Sequence, residues 1–282
     1  MPLIQIKSNA KINVSLGVLG KLKSKLHRVE SLVTFIDLND DIKITPIKKK
    51  KHKVIFYGKF SKGIPKINTI TSLLTILDKK NLLKNKKYLI KIKKKIPLKS
   101  GMGGGSMNAS SLLSYFLKSK IIKLKKQQIS RILKQIGSDA IFGMYKKNLI
   151  LKGNGDLLSS KKKLNLYLLI IKPNFGCSTS EIYKGIKRYS KPILLNGNKK
   201  TFDIKNLINL KNDLEKPAFS KYPKLYEIKK NILDLPNVLF VRMTGSGSSI
   251  IGYFKSKKTT INAAKLLKKK YRNYWYNISK TI

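Results

Sequence analysis

Between Pro97 and Ser110 the chain reads PLKSGMGGGSMNAS, with four glycines in five positions, and SLLSYFLK follows at once. Glycine costs backbone entropy, so such a cluster belongs where the chain turns sharply or passes close to something. The residues after it predict a helix: Ser106 and Asn108 are good N-cap types, and Leu112, Leu113 and Phe116 recur at helical spacing. A glycine loop feeding a helix N-terminus offers free N–H groups and the positive end of a helix dipole, which together cradle a phosphate. The plainer reading is a turn before a helix. Two familiar phosphate loops are excluded. The P-loop ends in Gly-Lys-Ser/Thr, whereas Gly105 is followed by Ser106-Met107; the dinucleotide fingerprint needs a third glycine where Ser106 stands, and a βαβ frame before it.

The elements that must position this loop follow from periodicity. Residues 2–20 alternate apolar and polar like a strand that breaks at Gly20. The run 21–58 holds a polar loop and further strands, with LNDD (38–41) and KKKKHK (48–53) as turns or hairpin tips; His52 reads there as a solvated loop residue without a role. NTITSLLTILDKKNLL is an amphipathic helix, KYLIKIKKKIPL a strand leading into the glycine loop, and KKQQISRILKQI a helix that stops near Gly137. KNLILKGNGDLLSS reads as a hairpin. The second half opens on the strand LNLYLLIIKP and passes through helical TSEIYKGIKRY and a Lys/Asn/Gly loop. Helices near NDLEKPAF and KLYEIKKNILDL follow, then NVLFVRMTGSGSSIIGYF as a hairpin around a glycine turn, and last a helix and a short strand. No internal repeat is visible. The mixed order predicts an α+β protein in two halves, divided near residues 157–163.

Composition narrows the class. At 282 residues and 41% apolar content the chain can build one large core or two moderate ones. A single cysteine, Cys177, rules out an internal disulfide framework and fits a reducing cytosol. Lys7 and Lys11 interrupt the early apolar run, so no signal peptide is expected, and no stretch supplies the ~18 apolar residues of a membrane span. A cytoplasmic protein is expected. Lys and Arg number 62 against 13 Asp and Glu, a formal +49, which on its face suggests a nucleic-acid partner. Only five of the 62 are arginine, however, and the lysines are spread along the whole chain. Arginine is the residue of bidentate phosphate and base contacts, so no specific nucleic acid is expected. The abundance of Ile and Asn beside Lys fits a coding bias toward A and T.

Three segments, NAKINVSLGV, PLKSGMGGGSMNAS and RMTGSGSSIIGYF, resemble the three signature motifs of the GHMP kinases, the superfamily of galactokinase and of the homoserine, mevalonate and phosphomevalonate kinases. Further local matches are IGSDAIF, IKPNFGCSTSEIY and KNDLE. Within the superfamily the likeness leans to the branch acting on a cytidyl diphosphate alcohol of the non-mevalonate isoprenoid route. It implies an N-terminal ATP-binding domain like ribosomal protein S5 domain 2 over 1–158 and a ferredoxin-like C-terminal domain over 159–282, with the active site in the cleft between them. It also implies ATP and Mg2+ as cofactors, a small cytidyl substrate, no membrane, and a monomer or homodimer.

The roles that the resemblance implies can be checked against residue chemistry. Phosphoryl transfer leaves little covalent work to the protein, so positioning and charge dominate. The alcohol must still lose a proton, and the family gives that task to the Asp of its Gly-x-Asp segment, here Asp139, with Lys11 beside it. The nucleotide would lie over Gly101, Gly103, Gly104, Gly105 and Ser106, bordered by Lys95 and Pro97, with Asn68 flanking the base. Asn13, Gly245, His27 and Tyr183 would meet the substrate, His27 by hydrogen bonds to the cytosine and Tyr183 by stacking on it. Four positions depart from the family pattern: Leu26 replaces a second aromatic, Met107 a small hydroxyl residue, and Lys152 an acid, while Ile141 stands where a proline turn is expected. Two other readings stay open: a homoserine- or mevalonate-type kinase, which would not need His27 or Tyr183, and a decayed or RNA-binding member of the fold.

Overall fold

The computed structural model describes residues 4–22, 26–194 and 199–282. By its contacts the chain forms two compact units. The first comprises Met1–Ala10, Leu38–Leu98 and Gly103–Lys146; the second comprises Lys11–Asp37, Lys99–Met102 and Lys147–Ile282. Each unit takes part of two long strands that pair with one another, β1 (Ile4–Lys21) and β2 (His27–Ile47). The strand predicted at the N-terminus therefore runs through Gly20 rather than stopping there.

In the first unit, residues 41–47 of β2 run antiparallel to β4 (Lys87–Lys93), which takes β3 (Lys53–Tyr57) in parallel on its other edge. Three helices cover this sheet: α1 (Thr69–Lys79), α2 (Gly104–Lys118) and α3 (Lys126–Ile136). The helical spacing read from sequence buries Leu73 and Leu77 of α1, Leu112, Leu113 and Phe116 of α2, and Leu133 of α3 against Ile42, Ile44, Ile90 and Ile92 of the strands. At about 1.5–3 kcal/mol per buried aliphatic or aromatic side chain, this face is the main support of the glycine loop.

The second unit pairs residues 31–33 of β2 with β5 (Asn148–Leu151), which folds back on β6 (Leu157–Ser160) as the expected hairpin. Its separate four-stranded antiparallel sheet includes β7 (Tyr167–Lys172), which is followed by α4 (Thr179–Lys184), α5 (Ile204–Asn209), α6 (Glu215–Lys221) and α7 (Pro223–Leu233). Then come β8 (Phe240–Met243), β9 (Ile250–Phe254), α8 (Lys257–Lys270) and β10 (Trp275–Lys280). The strand order is β10-β7-β9-β8. Helices α6, α7 and α8 bury Ala218, Leu225, Ile228, Ile232 and Leu267 with Leu169, Ile171, Val241 and Ile250 of the strands.

Four local expectations are corrected. LNDD is not a turn but continues β2. Its Asp40 is fully buried and accepts from the Lys94 ammonium, from the backbone N–H groups of Lys95 (2.7 Å) and Ile96 (2.9 Å), and from Asn108 Nδ2 (2.9 Å), so the carboxylate is satisfied inside the strand. Ser106 and Asn108 do not cap α2; both lie inside it, and Gly103 is the N-cap. The helix expected over TSEIYKGIKRY ends at Lys184, before Gly185. Finally, His52 is not solvated. Its Nδ1 accepts from the Tyr88 N–H at 3.0 Å, its Nε2 lies 3.2 Å from an Asp78 carboxylate oxygen, and its ring stacks on Tyr88. The Lys/Asn/Gly loop lies partly outside the described residues.

Burial lowers the His52 pKa below its ordinary 6.5, and the neighbouring Asp78 carboxylate offsets this only in part. A histidine with a lowered pKa in the fold takes up protons more readily when unfolded. Stability is therefore present above the ordinary histidine value and is lost as the pH falls below it. Denaturant midpoints measured from pH 7.5 downward should fall once the pH passes 6.5. His52→Gln should flatten that fall, leaving the share due to His27, whose pKa is also lowered. An identical profile in the variant would place the titration elsewhere.

Candidate active site

In the first unit, the start of α2 is built to present its amides. Gly103 adopts φ +65°, a left-handed conformation that side chains rarely take, and turns the chain so that Gly104, Gly105 and Ser106 form the first helical turn. No side chain caps this end, so the orphan N–H groups of a helix start face outward together with the dipole. The Asp40 carboxylate ties the exit of β4 (Lys94–Ile96) to Asn108 of α2 and so fixes where the loop begins. Lys95 pairs with Asp41 at 2.7 Å, and Pro97 is buried. Asn68 caps α1: its Oδ1 accepts from the N–H groups of Ile70 and Thr71, and its Nδ2 donates to the Pro65 and Lys66 carbonyls. Thr69 Oγ1 donates to the Gly105 carbonyl at 2.8 Å, which joins α1 to the loop helix.

Asp139 belongs to the same unit. It precedes a short 3-10 turn (Ala140–Met144) that lies directly on α2. Ser110 Oγ donates to the Ala140 carbonyl, and Gly143 sits so close to Ser110 that an added Cβ would meet the serine Cβ at 2.6 Å. Met107, buried beside the same glycine, fills this contact with its sulfur. The glycine two residues before Asp139 faces Ser106 Oγ, with 3.5 Å from its notional Cβ to the hydroxyl. The first unit thus packs the segment on either side of Asp139 against α2 between Ser106 and Ser110.

The second unit assembles the other predicted residues. Lys11 is buried on β1, its N–H donating to the Met102 carbonyl at 3.2 Å and its Nζ to Asn13 Oδ1 at 2.5 Å. The Asn13 N–H donates to Thr244 Oγ1 at 3.0 Å, and the same hydroxyl donates to the Gly101 carbonyl at 3.2 Å. Asn13 Nδ2 reaches Ser31 Oγ at 2.8 Å. Gly245 follows, its notional Cβ 3.1 Å from the Gly101 carbonyl oxygen and 3.4 Å from Asn13 Oδ1. The chain 99–102 also pairs with 248–249 through Ser248 N–H to Lys99 O and Ser249 N–H to Ser100 O. Lys11, Asn13 and Gly101 therefore share one hydrogen-bonded node through Thr244, and Gly245 packs closely against it.

His27 and Tyr183 also meet, with ring centroids 4.8 Å apart and planes at 32°. Burial, helped by Lys21, lowers the His27 pKa, so the imidazole is neutral at pH 7 and presents one donor and one acceptor. Leu26 is 65% exposed beside it.

Sequence reasoning missed Thr244, Asn212 and Asp40. Asn212 Nδ2 donates to the carbonyls of Met243 (2.7 Å) and Gly245 (2.8 Å) and so holds the C-terminal glycine turn from behind. The available signals were the Thr of MTGSG and the Asn of KNDLE, but neither spacing states a partner.

Gly101 has φ +74°, and an added Cβ would fall 1.9 Å from the Thr244 carbonyl oxygen. Gly101→Ala should therefore cost roughly 2–4 kcal/mol of folding stability by forcing the loop apart. Gly105→Ala, at a helical position whose nearest neighbour is Thr69 Oγ1 at 3.2 Å, should stay within about 1 kcal/mol of wild type. Guanidinium unfolding of both variants decides; equal losses would show that the contact at Gly101 yields.

Residues 68–147 match the family model described as GHMP kinases N terminal domain, and 192–273 the model described as GHMP kinases C terminal. The chain is 54% identical over 278 residues to the 4-diphosphocytidyl-2-C-methyl-D-erythritol kinase of Pelagibacter ubique, covering 99% of each chain. It is 32% identical to the enzyme of that name from Clostridioides difficile, over 98% of this chain and 95% of the relative. Its fold resembles a crystal structure of 4-(cytidine 5'-diphospho)-2C-methyl-D-erythritol kinase, with TM-score 0.78, 20% identity, and coverage of 98% and 99%. A homoserine kinase from Cytophaga hutchinsonii matches at TM-score 0.74 and 17% identity, over 100% of this chain and 95% of that one. The three motifs and the two folds they implied are thus accounted for together: the chain belongs to the GHMP kinase family.

Proposed function

We propose that this chain transfers the γ-phosphoryl group of ATP to the 2-hydroxyl of 4-diphosphocytidyl-2-C-methyl-D-erythritol, a step in non-mevalonate isoprenoid precursor biosynthesis. The observation that carries the reading is the contact of His27 with Tyr183, two rings far apart in sequence that a cytosine could use at its edge and its face. The 54% identity to a kinase of that name supports it. A homoserine- or mevalonate-type pocket has no use for that pair, and no observation favours an RNA partner.

In this mechanism the amides of Gly103, Gly104, Gly105 and Ser106, with Gly101, Lys95, Pro97 and Asn68 around them, hold ATP by its phosphates and base. Asp139 accepts the proton of the attacking hydroxyl as the O–P bond forms and ADP leaves with the broken bond's electrons. Lys11, steered by Asn13, counters the charge that develops, and Gly245 closes over the transferred group. Among the described residues no three His, Cys, Asp or Glu side chains cluster. Magnesium, where bound, would come with the nucleotide and would supply positive charge against its phosphates. We assign an N-terminal ATP-binding domain to 1–158 and a C-terminal domain to 159–282, supported by family-model matches that fall one on each side. No helix among the described residues is long and apolar enough to cross a membrane; we place the enzyme in the cytoplasm as a monomer or homodimer.

Parallel assays of ATP consumption with the cytidyl alcohol, homoserine and mevalonate test the reading; turnover of either small alcohol and not the cytidyl compound would overturn it. Asp139→Asn should cut kcat by ~10²–10⁴ with ATP affinity nearly unchanged. Lys11→Ala should also slow turnover, and the double variant should fall far short of the product of the two losses because the groups act as a unit.

Stacking on an aromatic ring is worth ~1–3 kcal/mol per base. With Leu26 in place of a second ring, one face of the cytosine meets only aliphatic contact. Tyr183→Ala should raise KM for the cytidyl substrate with a smaller change in kcat, and Leu26→Tyr should lower KM. Unchanged KM in both variants would move the base elsewhere.

A further inference from the structure

The second unit holds a cavity of about 1370 Å³, and none of the residues assigned above to ATP or the cytidyl alcohol lines it. Its walls come from the end of α4 and the chain just after it, from residues 208–213, from α6, and from Arg242 on β8. Three features single it out.

The first is an excess of positive charge. Seven Lys and Arg side chains line the cavity against three Asp and Glu. Lys221 is engaged by Glu181 at 2.5 Å and Lys229 by Glu215 at 2.6 Å, while Asp213 accepts the Val18 N–H at 2.7 Å. Lys187, Arg188, Lys211 and Lys216 form no ion pair among the described residues.

The second is Arg242, which is only 6% exposed. One of its terminal nitrogens donates to the carbonyls of Leu207 (3.2 Å) and Ile208 (3.4 Å), and the guanidinium lies 5.5 Å from the Phe240 ring centroid. Its buried Nε–H has no partner among the described residues. The neighbouring Glu215 carboxylate accepts from Lys229 and from the Met243 N–H at 2.8 Å, and among the described residues no ion pair joins it to the guanidinium. A buried guanidinium without a direct counter-charge is unfavourable, and an oxyanion on its remaining terminal nitrogen, which makes no hydrogen bond among the described residues, relieves it.

The third is apolar wall. Ile186, Ile208, Leu210 and Phe219 line the same space, so a bare inorganic ion would leave most of the cavity's apolar surface in water. We propose that this cavity binds an organic phosphate, its oxyanion head on Arg242 and its apolar body against Ile186, Ile208 and Phe219.

The test is calorimetric titration of the full-length protein with octyl phosphate, in the presence of saturating ADP and CDP to occupy the nucleotide and cytidyl positions. One equivalent should bind, and inorganic phosphate should bind at least about tenfold more weakly, since it lacks the apolar body. Arg242→Gln should weaken octyl phosphate by about tenfold or more. Because Arg242 is buried and its loss could disturb folding, Lys211→Ala/Lys216→Ala at the rim provides a second arm, with an expected loss of about threefold to tenfold at unchanged melting temperature. Three outcomes would overturn the proposal: displacement of the probe by ADP or CDP, inorganic phosphate binding as tightly as octyl phosphate, or several weak equivalents indifferent to both variants, which is what a diffuse +49 surface alone would give.

Discussion

One hydroxyl joins the three signature motifs. Thr244 Oγ1 accepts from the Asn13 N–H of the first motif and donates to the Gly101 carbonyl of the second, while Thr244 itself belongs to the third. The residue is fully buried, so each of these bonds forms where water cannot substitute for it. A hydroxyl is the one short side chain that gives and takes at a single atom. Gly101 must then lack a side chain, because the backbone carbonyl of Thr244 itself occupies the place of its Cβ. The position of Lys11 follows from the same node, since its own N–H is held by Met102 and its ammonium by Asn13. A chemically ordinary contact thus determines where the one deeply buried ammonium of this motif can point.

The first unit has its own organising charge. Asp40 collects four donors, two of them the backbone amides that lead into the loop and one from the helix the loop feeds. A buried carboxylate is tolerated only when its lone pairs are filled, and here filling them also fixes the chain around the amide cradle. The uncapped start of α2 is the complement: no serine or asparagine side chain consumes its donors.

Much of this was legible from the residues. Helical spacing in α1, α2 and α3 identified the buried face, and the strand into the glycine loop, the 148–160 hairpin and the closing hairpin follow from alternation and turn chemistry. The order of the motifs gave the family. What stayed hidden was partnership over long distances. LNDD carries every local mark of a turn, yet Asp40 finds donors more than fifty residues away and the strand continues. Ser106 and Asn108 have cap chemistry, but glycine's left-handed turn at 103 starts the helix earlier and sends Asn108 inward to Asp40. His52 sits in a run of lysines, and only the fold shows Tyr88 and Asp78 beside it.

The lysine excess makes the same point from the opposite side. In a chain where so many exposed positions are lysine, residue type alone says little about which ammonium matters. Burial separates them, because desolvating a charge is costly unless a partner compensates. Among the described residues only Lys11, Lys94 and Lys172 are buried lysines. Each has a structural counterpart: Asn13 for Lys11, Asp40 for Lys94, and the carbonyls of Pro173 and Phe175 for Lys172. Compositional drift can scatter lysines over a surface at little cost, but it cannot place one inside without the acceptors to receive it. The positions where drift and burial disagree are therefore the ones that the fold itself requires, and Lys11 is among them.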